Sequence, residues 1–323
     1  MSRQSLNHFT GKAIPQGPAQ SSIQACQASL LASALPFVQA LQQQTVVIVY
    51  TGSTNHDISA KQAFAQQVAL LAMTGMRPIV VHGGAPQFQP CQAGGRAPVP
   101  EWVAMRVARA GLADLNLDLV HLISQYGPKA MGVTGQDGHC LLAASHAENG
   151  AISPIAKLDT GLFTLLQNDG MVPVVMPMAP DADGEDRLLS PERLGALLAQ
   201  QLQASTLVLM GDGTSLLELT GQEPLNSEAE LAHWLAMHPT GVAAHLASAA
   251  LDALGHGVQS VHFVDACEPH ALITALLTEE GCGLILCRRN NAQLMKDSTR
   301  YFHDCDSVLR PDFHAERKRV VRF

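Results

Sequence analysis

Thr45-Val-Val-Ile-Val-Tyr50 runs into Thr51-Gly52-Ser53, and Pro78-Ile-Val-Val-His82 runs into Gly83-Gly84-Ala85-Pro86. Each is a short block rich in β-branched residues, closed by a turn of small residues. Continuous apolar runs of this kind suit strands covered on both faces, as in a parallel sheet. Between them, Lys61 to Thr74 reads as an amphipathic helix. Phe64, Val68 and Leu71 share one face, and Gly75 supplies the C-terminal stop. Strand, turn, helix, strand, turn is the rhythm of a βαβ unit. The expected fold is α/β, a three-layer helix–sheet–helix sandwich with a central, mainly parallel sheet.

The pattern extends in both directions. Upstream, Ser22 to about Gln43 has helical periodicity in Leu31, Leu35, Val38 and Leu41, with Pro36 expected to kink or split it. Downstream, Glu101–Gln125 reads as helix with a break near Gly111 and Asp114. Ala130–Thr134 and His139–Ala144 read as strands, Thr160–Asn168 as helix, and Met171–Met176 as strand. Ser190 followed by Pro191 marks a helix start, a capping hydroxyl before proline at the first helical position. That helix feeds strand Thr206–Met210. Ser227 with Glu230 forms a capping box for the next helix. Val242–Leu254 and Pro269–Glu279 read as helices, and Gln259–Val264 and Gly283–Cys287 as strands. The expected division is a polar arm over 1–28, an N-terminal lobe over 29–182, a C-terminal lobe over 183–287 and a basic tail over 288–323.

Composition narrows the function classes. The 323 residues are 47% hydrophobic and 15% charged, enough for a sizeable core and too apolar for disorder. A net charge of −8 argues against nucleic acid as the main partner. No apolar run reaches the roughly 18–20 residues of a membrane span, and the N-terminal stretch has no secretory apolar region. The seven cysteines are scattered and never spaced CxxC, so they read as reduced thiols of a cytoplasmic protein. Residues 288–323 carry nine basic and five acidic side chains, a +4 segment on a body of −12. Phe302-His-Asp-Cys-Asp306 with His314 offers ligand types at no standard metal spacing, and no metal site is expected.

In open α/β sheets, ligands bind beyond the carboxyl ends of the strands, where Gly-rich turns expose backbone N–H groups. Three turns qualify here: Thr51-Gly52-Ser53, Gly83-Gly84-Ala85-Pro86 and Gly211-Asp212-Gly213. None fits GxGxxG or GxxxxGK[ST], so neither a dinucleotide fingerprint nor a P-loop is present.

Taken together, the turns resemble those of acetylglutamate kinases, in the amino-acid kinase family. Ala34 to Gly52 is similar to that family's opening helix, strand and Lys-x-Gly-Gly turn. Thr74-Gly-Met-Arg-Pro-Ile-Val-Val-His-Gly-Gly-Ala-Pro-Gln87 resembles its G-x-x-P-V-V-V-H-G-G-G-P-x segment. Met105-Arg106-Val107, Asn116-Leu-Asp-Leu-Val120 and Gly132-Val-Thr-Gly-Gln-Asp-Gly138 resemble later landmarks, in order. Val261–Asp265 and Leu277–Gly283 resemble the closing strand and the last nucleotide-side turn. The resemblance covers about residues 29–287.

It implies an N-terminal lobe that binds an acylated amino acid and forms a homodimer or higher homo-oligomer. It implies ATP and magnesium as cofactors of the C-terminal lobe, with Gly211, Asp212 and Gly283 on the nucleotide side. Gly83 and Gly84 would offer backbone N–H groups to the substrate, and Arg106 would clamp its carboxylate. A guanidinium meets a carboxylate bidentately, and glycine lets the backbone come close.

The catalytic positions depart from the family. Its first lysine aligns with Tyr50, its second with His245, and the aspartate that orients both with Glu192. A substrate-contacting asparagine aligns with Leu188, and a threonine of the last turn with Leu284. Phosphoryl transfer depends on stabilising charge on the moving group, so these changes lead to an expectation of impaired or altered transfer. Two other readings stay open: a non-catalytic ligand-binding or regulatory homologue, and a working kinase with non-standard catalytic residues.

Overall fold

The computed structural model describes residues 31–51, 57–83, 101–145, 152–220, 225, 227–278 and 281–288. In chain order the elements are helix α1 (residues 31–41), β1 (Thr45–Tyr50), α2 (Ile58–Met73), β2 (Arg77–His82), α3 (Glu101–Gln125) and β3 (Lys129–Val133). The short strands β4 (Leu141–Ala143) and β5 (Ile155–Leu158) come next, then α4 (Gly161–Asn168), β6 (Met171–Val175), β7 (Met178–Pro180) and β8 (Asp186–Leu188). The rest is α5 (Pro191–Gln201), β9 (Thr206–Gly211), α6 (Gly213–Thr220), α7 (Glu228–Met237), α8 (Val242–Gly255), β10 (Ser260–Asp265), α9 (Ala271–Leu277) and β11 (Leu284–Cys287).

The main sheet has seven strands in the order β11-β10-β9-β1-β2-β6-β3. All pairs are parallel except β10 with β11. It runs unbroken across the boundary expected near residue 182, because β1 pairs directly with β9. β1 shows why the apolar runs end up central. Val46, Ile48 and Tyr50 face a layer built from Phe64 and Val68 of α2, Leu119 and Ile123 of α3, and Leu272 of α9. Val47 and Val49 face Leu194 and Leu198 of α5 and Leu246 of α8. Both faces are covered, so the strand has no polar side.

Local chemistry sets the helix starts. Asp57 caps α2 by accepting from Ser59 N at 2.8 Å. Ser190 and Ser227 cap α5 and α7 through the amides of Arg193 and Glu230. α5 lies so close to β1 that a Cβ on Gly195 would sit 2.2 Å from Val49 Cγ2. Lys61 of α2 is buried and ion-paired with Asp118 of α3.

Several boundaries differ from the sequence expectation. α3 is continuous through Gly111 and Asp114, and α1 is continuous through Pro36 over its described residues. The strand expected over His139–Ala144 shrinks to Leu141–Ala143, because a 3₁₀ turn occupies Asp137–His139. The helix expected over Pro269–Glu279 is Ala271–Leu277. The hairpin β7–β8 and helix α6 lie where no element was expected.

Gly283 enters β11 with φ +81°, and a Cβ there would lie 1.9 Å from Phe263 O. Gly283→Ala should therefore destabilise the fold by about 3 kcal/mol, through a backbone clash and left-handed strain. Urea unfolding measures this, and a loss under about 1 kcal/mol would show that the turn gives way freely.

Candidate functional site

Parallel pairing gathers the carboxyl ends of β1, β2, β9 and β10 on one edge of the sheet. α5 and α8 precede β9 and β10, so their N-termini lie on that edge too. The chain leaves β1 toward β2 on one side and returns through β9 on the other, which makes β1 the topological switch point. Tyr50, Gly83, Glu192, Gly211, Asp212, His245 and Gly283 are thereby brought to one edge. Gly84 and the tail lie outside the described residues.

At the crest, Thr51 ties β1 to β9, its Oγ1 donating to Met210 O at 2.8 Å. Gly83 N–H donates to Tyr50 O at 2.8 Å, so this amide already serves the strand end. Close packing also favours glycine at this position. A Cβ there would meet Thr51 Cγ2 at 2.8 Å. The Tyr50 side chain turns into the core. Its ring is 1% exposed and stacks on Phe64, with centroids 3.9 Å apart and planes at 6°.

His82, at the end of β2, is fully buried, and its Nε2 lies 3.0 Å from Asn116 Nδ2. Asn116 Nδ2 also donates to Val174 O at 2.9 Å, which fixes the amide orientation and makes Nε2 the acceptor. The ring proton then sits on Nδ1, on the side of the Gly83 backbone. Burial pushes the His82 pKa down to about 4, opposed only weakly by the Gly83 backbone. Asn116 in turn explains Gly132, where a Cβ would lie 2.1 Å from Asn116 Oδ1.

On the C-terminal side, Asp212 accepts from Ser215 Oγ at 2.6 Å and from Ser215 N at 3.2 Å, closing the first turn of α6. The Ser215 hydroxyl holds its carboxyl below the ordinary range. A Cβ on Gly213 would reach Asp265 Oδ2 at 2.7 Å, so a larger residue there would displace the Asp265 carboxylate. Glu192 is buried in the first turn of α5, where its Oε2 accepts from Ser190 Oγ at 2.7 Å. His245 is exposed in the first turn of α8. Among the described residues, no three His, Cys, Asp or Glu side chains are arranged to hold a metal ion.

Arg106 is exposed on α3, and three residues further on Arg109 reaches a feature that sequence reasoning missed. Arg109 Nη1 lies 2.6 Å from Asp186 Oδ2 of β8, and Gln136 Nε2 donates to Asp186 Oδ1 at 2.7 Å. These three, with Thr134, Met176 and Met178, line a small cavity of about 20 Å³ just past the ends of β3 and β6. A larger cleft of about 390 Å³ lies on the outer faces of α5 and α8, beside Arg193, Gln200, Asp252 and His256. It contains none of the residues expected from sequence. No described helix is long and apolar enough to cross a membrane.

A parallel sheet sandwiched by helices, with glycine turns and a topological switch on its carboxyl edge, defines an α/β fold of the kind in which that edge is the usual place for a ligand. The family model described as "Amino acid kinase family" matches residues 44–265, and the chain belongs to that family. Among its curated relatives is the acetylglutamate kinase of Chromobacterium violaceum, 34% identical over 80% of this chain and 96% of the relative. The acetylglutamate kinase of Methanocaldococcus jannaschii is 31% identical over 81% of this chain and 96% of the relative.

Solved structures agree on the fold. N-acetylglutamate synthase from Neisseria gonorrhoeae, complexed with coenzyme A and N-acetyl-glutamate, superposes with TM-score 0.69 at 19% identity, covering 81% of this chain and 63% of that one. Carbamate kinase from Giardia lamblia bound to AMP-PNP gives 0.55 at 12% identity, covering 76% of this chain and 98% of that one. At such identities the likeness concerns the fold alone.

Proposed function

We propose that this chain binds a small, carboxylate-bearing derivative of an amino acid at the carboxyl edge of its N-terminal half. We further propose that it is a diverged, cytoplasmic enzyme whose phosphoryl transfer is impaired or altered. The observation that carries this reading is the Tyr50 ring, buried and stacked on Phe64 where the resemblance implies a lysine. A permanent cation at that strand end would meet the moving phosphoryl group, and an aromatic ring in the core supplies none. Glu192, at the position of the orienting aspartate, is engaged with Ser190 instead.

The guanidinium charge for a carboxylate comes from α3, from Arg106 by the resemblance and from Arg109 by its place in the cavity. ATP with magnesium is the cofactor that the nucleotide side suits, with Gly211, Asp212 and Gly283 as the residues that would hold it. Asp212 brings carboxylate oxygens, which a hard cation prefers.

Calorimetric titration of the full chain tests this, using N-acetyl-L-glutamate, a set of free L-amino acids and then magnesium–ATP. Saturable binding of any of the carboxylates supports the site, and no binding by any of them at millimolar concentration overturns it. Saturable ATP binding supports an enzyme. Its absence shifts the reading to a non-catalytic homologue.

Assembly follows from the N-terminal half. On α3, Trp102, Val107 and Leu117 are 64%, 54% and 67% exposed, and Met131 on the edge strand β3 is 42% exposed. Apolar side chains exposed on and beside an edge strand offer a surface on which a second copy could pair. Light scattering should find a homodimer or larger assembly, and a monomer at micromolar concentration would refute this.

A further inference from the structure

β8 alternates, so Asp186 and Leu188 point to the same side of the strand. Leu188 packs against a small apolar cluster centred on Leu112, Met176 and Met178, with Met105 beside it. Asp186 stands at the rim of that cluster, bonded to Arg109 on one oxygen and to Gln136 on the other. The arrangement is an apolar floor of flexible methionines below an adjacent cation and anion. A site of that kind is matched by a molecule with the same three parts.

We infer that the Arg109–Asp186 pair reads an unacylated α-amino acid with an apolar side chain. This inference rests on the reading above, that this edge binds an amino-acid derivative. The ligand's carboxylate takes the Arg109 guanidinium, its ammonium takes Asp186, and its side chain lies on the methionine floor. The pair keeps the cavity small in the free protein and must part to admit the ligand. Parting falls to the Arg109 side, whose side chain is 54% exposed and free to swing out, while Asp186 at 15% exposed stays in place. Both groups also retain bonding capacity, since a guanidinium carries five donors and a carboxylate about four acceptor sites. Methionine side chains adapt readily to different apolar shapes.

The same chemistry disfavours acylated and doubly acidic ligands. Acylation turns the ammonium into a neutral amide, leaving Asp186 covered without a cationic partner. A second carboxylate would meet Asp186 as a like charge or the methionines as an apolar surface.

Calorimetry on the full chain tests this with L-methionine and L-leucine against N-acetyl-L-methionine and N-acetyl-L-glutamate. The free amino acids should bind at least about tenfold more tightly than either acetyl compound. Asp186→Asn should remove that preference to within about threefold, with a thermal midpoint close to that of the unsubstituted protein. Acetyl compounds that bind as tightly as the free amino acids would overturn the inference while leaving the carboxylate site standing. So would a preference that survives Asp186→Asn. Binding by none of the four probes would remove the site itself. Should Asp186→Asn fail to fold, the comparison on the unsubstituted chain still decides.

Discussion

With ATP, magnesium and N-acetyl-L-glutamate, the purified protein should turn over at least about 10⁴-fold more slowly than a family member carrying lysine at both catalytic positions. One preorganised donor aimed at developing charge contributes roughly 10²–10³ in rate. Two missing cations therefore cost on the order of 10⁴–10⁶ if their effects multiply. Tyr50 offers no cation, and its ring is packed against Phe64 rather than turned toward the edge. His245 is exposed at the start of α8, and an imidazole carries positive charge only part of the time near neutral pH. Coupled assay of ADP release, with the phosphorylated product identified by mass spectrometry, measures the rate. Turnover within about 100-fold of such a kinase would show that other residues have taken over the stabilising role.

Stability should fall steeply on mild acidification, by on the order of 5 kcal/mol between pH 7 and pH 4.5. Two histidines drive this. His82 and His262 are buried and held neutral, each with its pKa lowered from 6.5 to about 4 by desolvation. In the unfolded chain both take up protons as the pH drops through 6.5, while in the folded chain neither does until about 4. The unfolded state binds more protons across that window, so stability is full above 6.5 and is lost as the pH approaches 4. Each pH unit in the window removes about 1.4 kcal/mol per histidine. For His82 the local reason is plain: a second ring proton would point at the Asn116 amide donor. Among the described residues, His262 Nε2 has the Ser260 hydroxyl alone as a hydrogen-bonding neighbour, at 3.3 Å. Urea unfolding at several pH values tests this, with His82→Gln and His262→Gln each expected to remove about half of the slope. A profile flat from pH 7 to 4.5 would refute it.

Much of the fold was legible because its strands are short, β-branched and covered on both sides. Thr45–Tyr50 and Thr206–Met210 announce themselves, and Ser190-Pro191 and Ser227 announce helix starts by local chemistry alone. Local cues failed where packing overrode them. Gly111 costs about 1 kcal/mol in a helix interior, yet α3 stays whole because Leu112, Leu115 and Leu119 are buried along it. The hairpin β7–β8 has little pattern of its own and is held by Arg187 Nε donating to Asp181 Oδ2 at 2.9 Å. At the edge of the sheet, sequence pointed to candidate residues but not to the partners each one meets. Arg109 meets Asp186 across 77 positions, and His82 meets Asn116 across 34. Which acid finds which base over such distances is settled by the fold, not by spacing.

The stack of Tyr50 on Phe64 also bears on a lysine substitution. Lysine placed at position 50 would leave a gap beside Phe64 where the aromatic ring had been. Its ammonium would then have to shed its proton or pull water into the core. A smaller residue at position 64, introduced first, would leave Tyr50 without its packing partner. Each single step disturbs the packing of the pair. The aromatic pair thus opposes a cation at this position by packing as well as by chemistry.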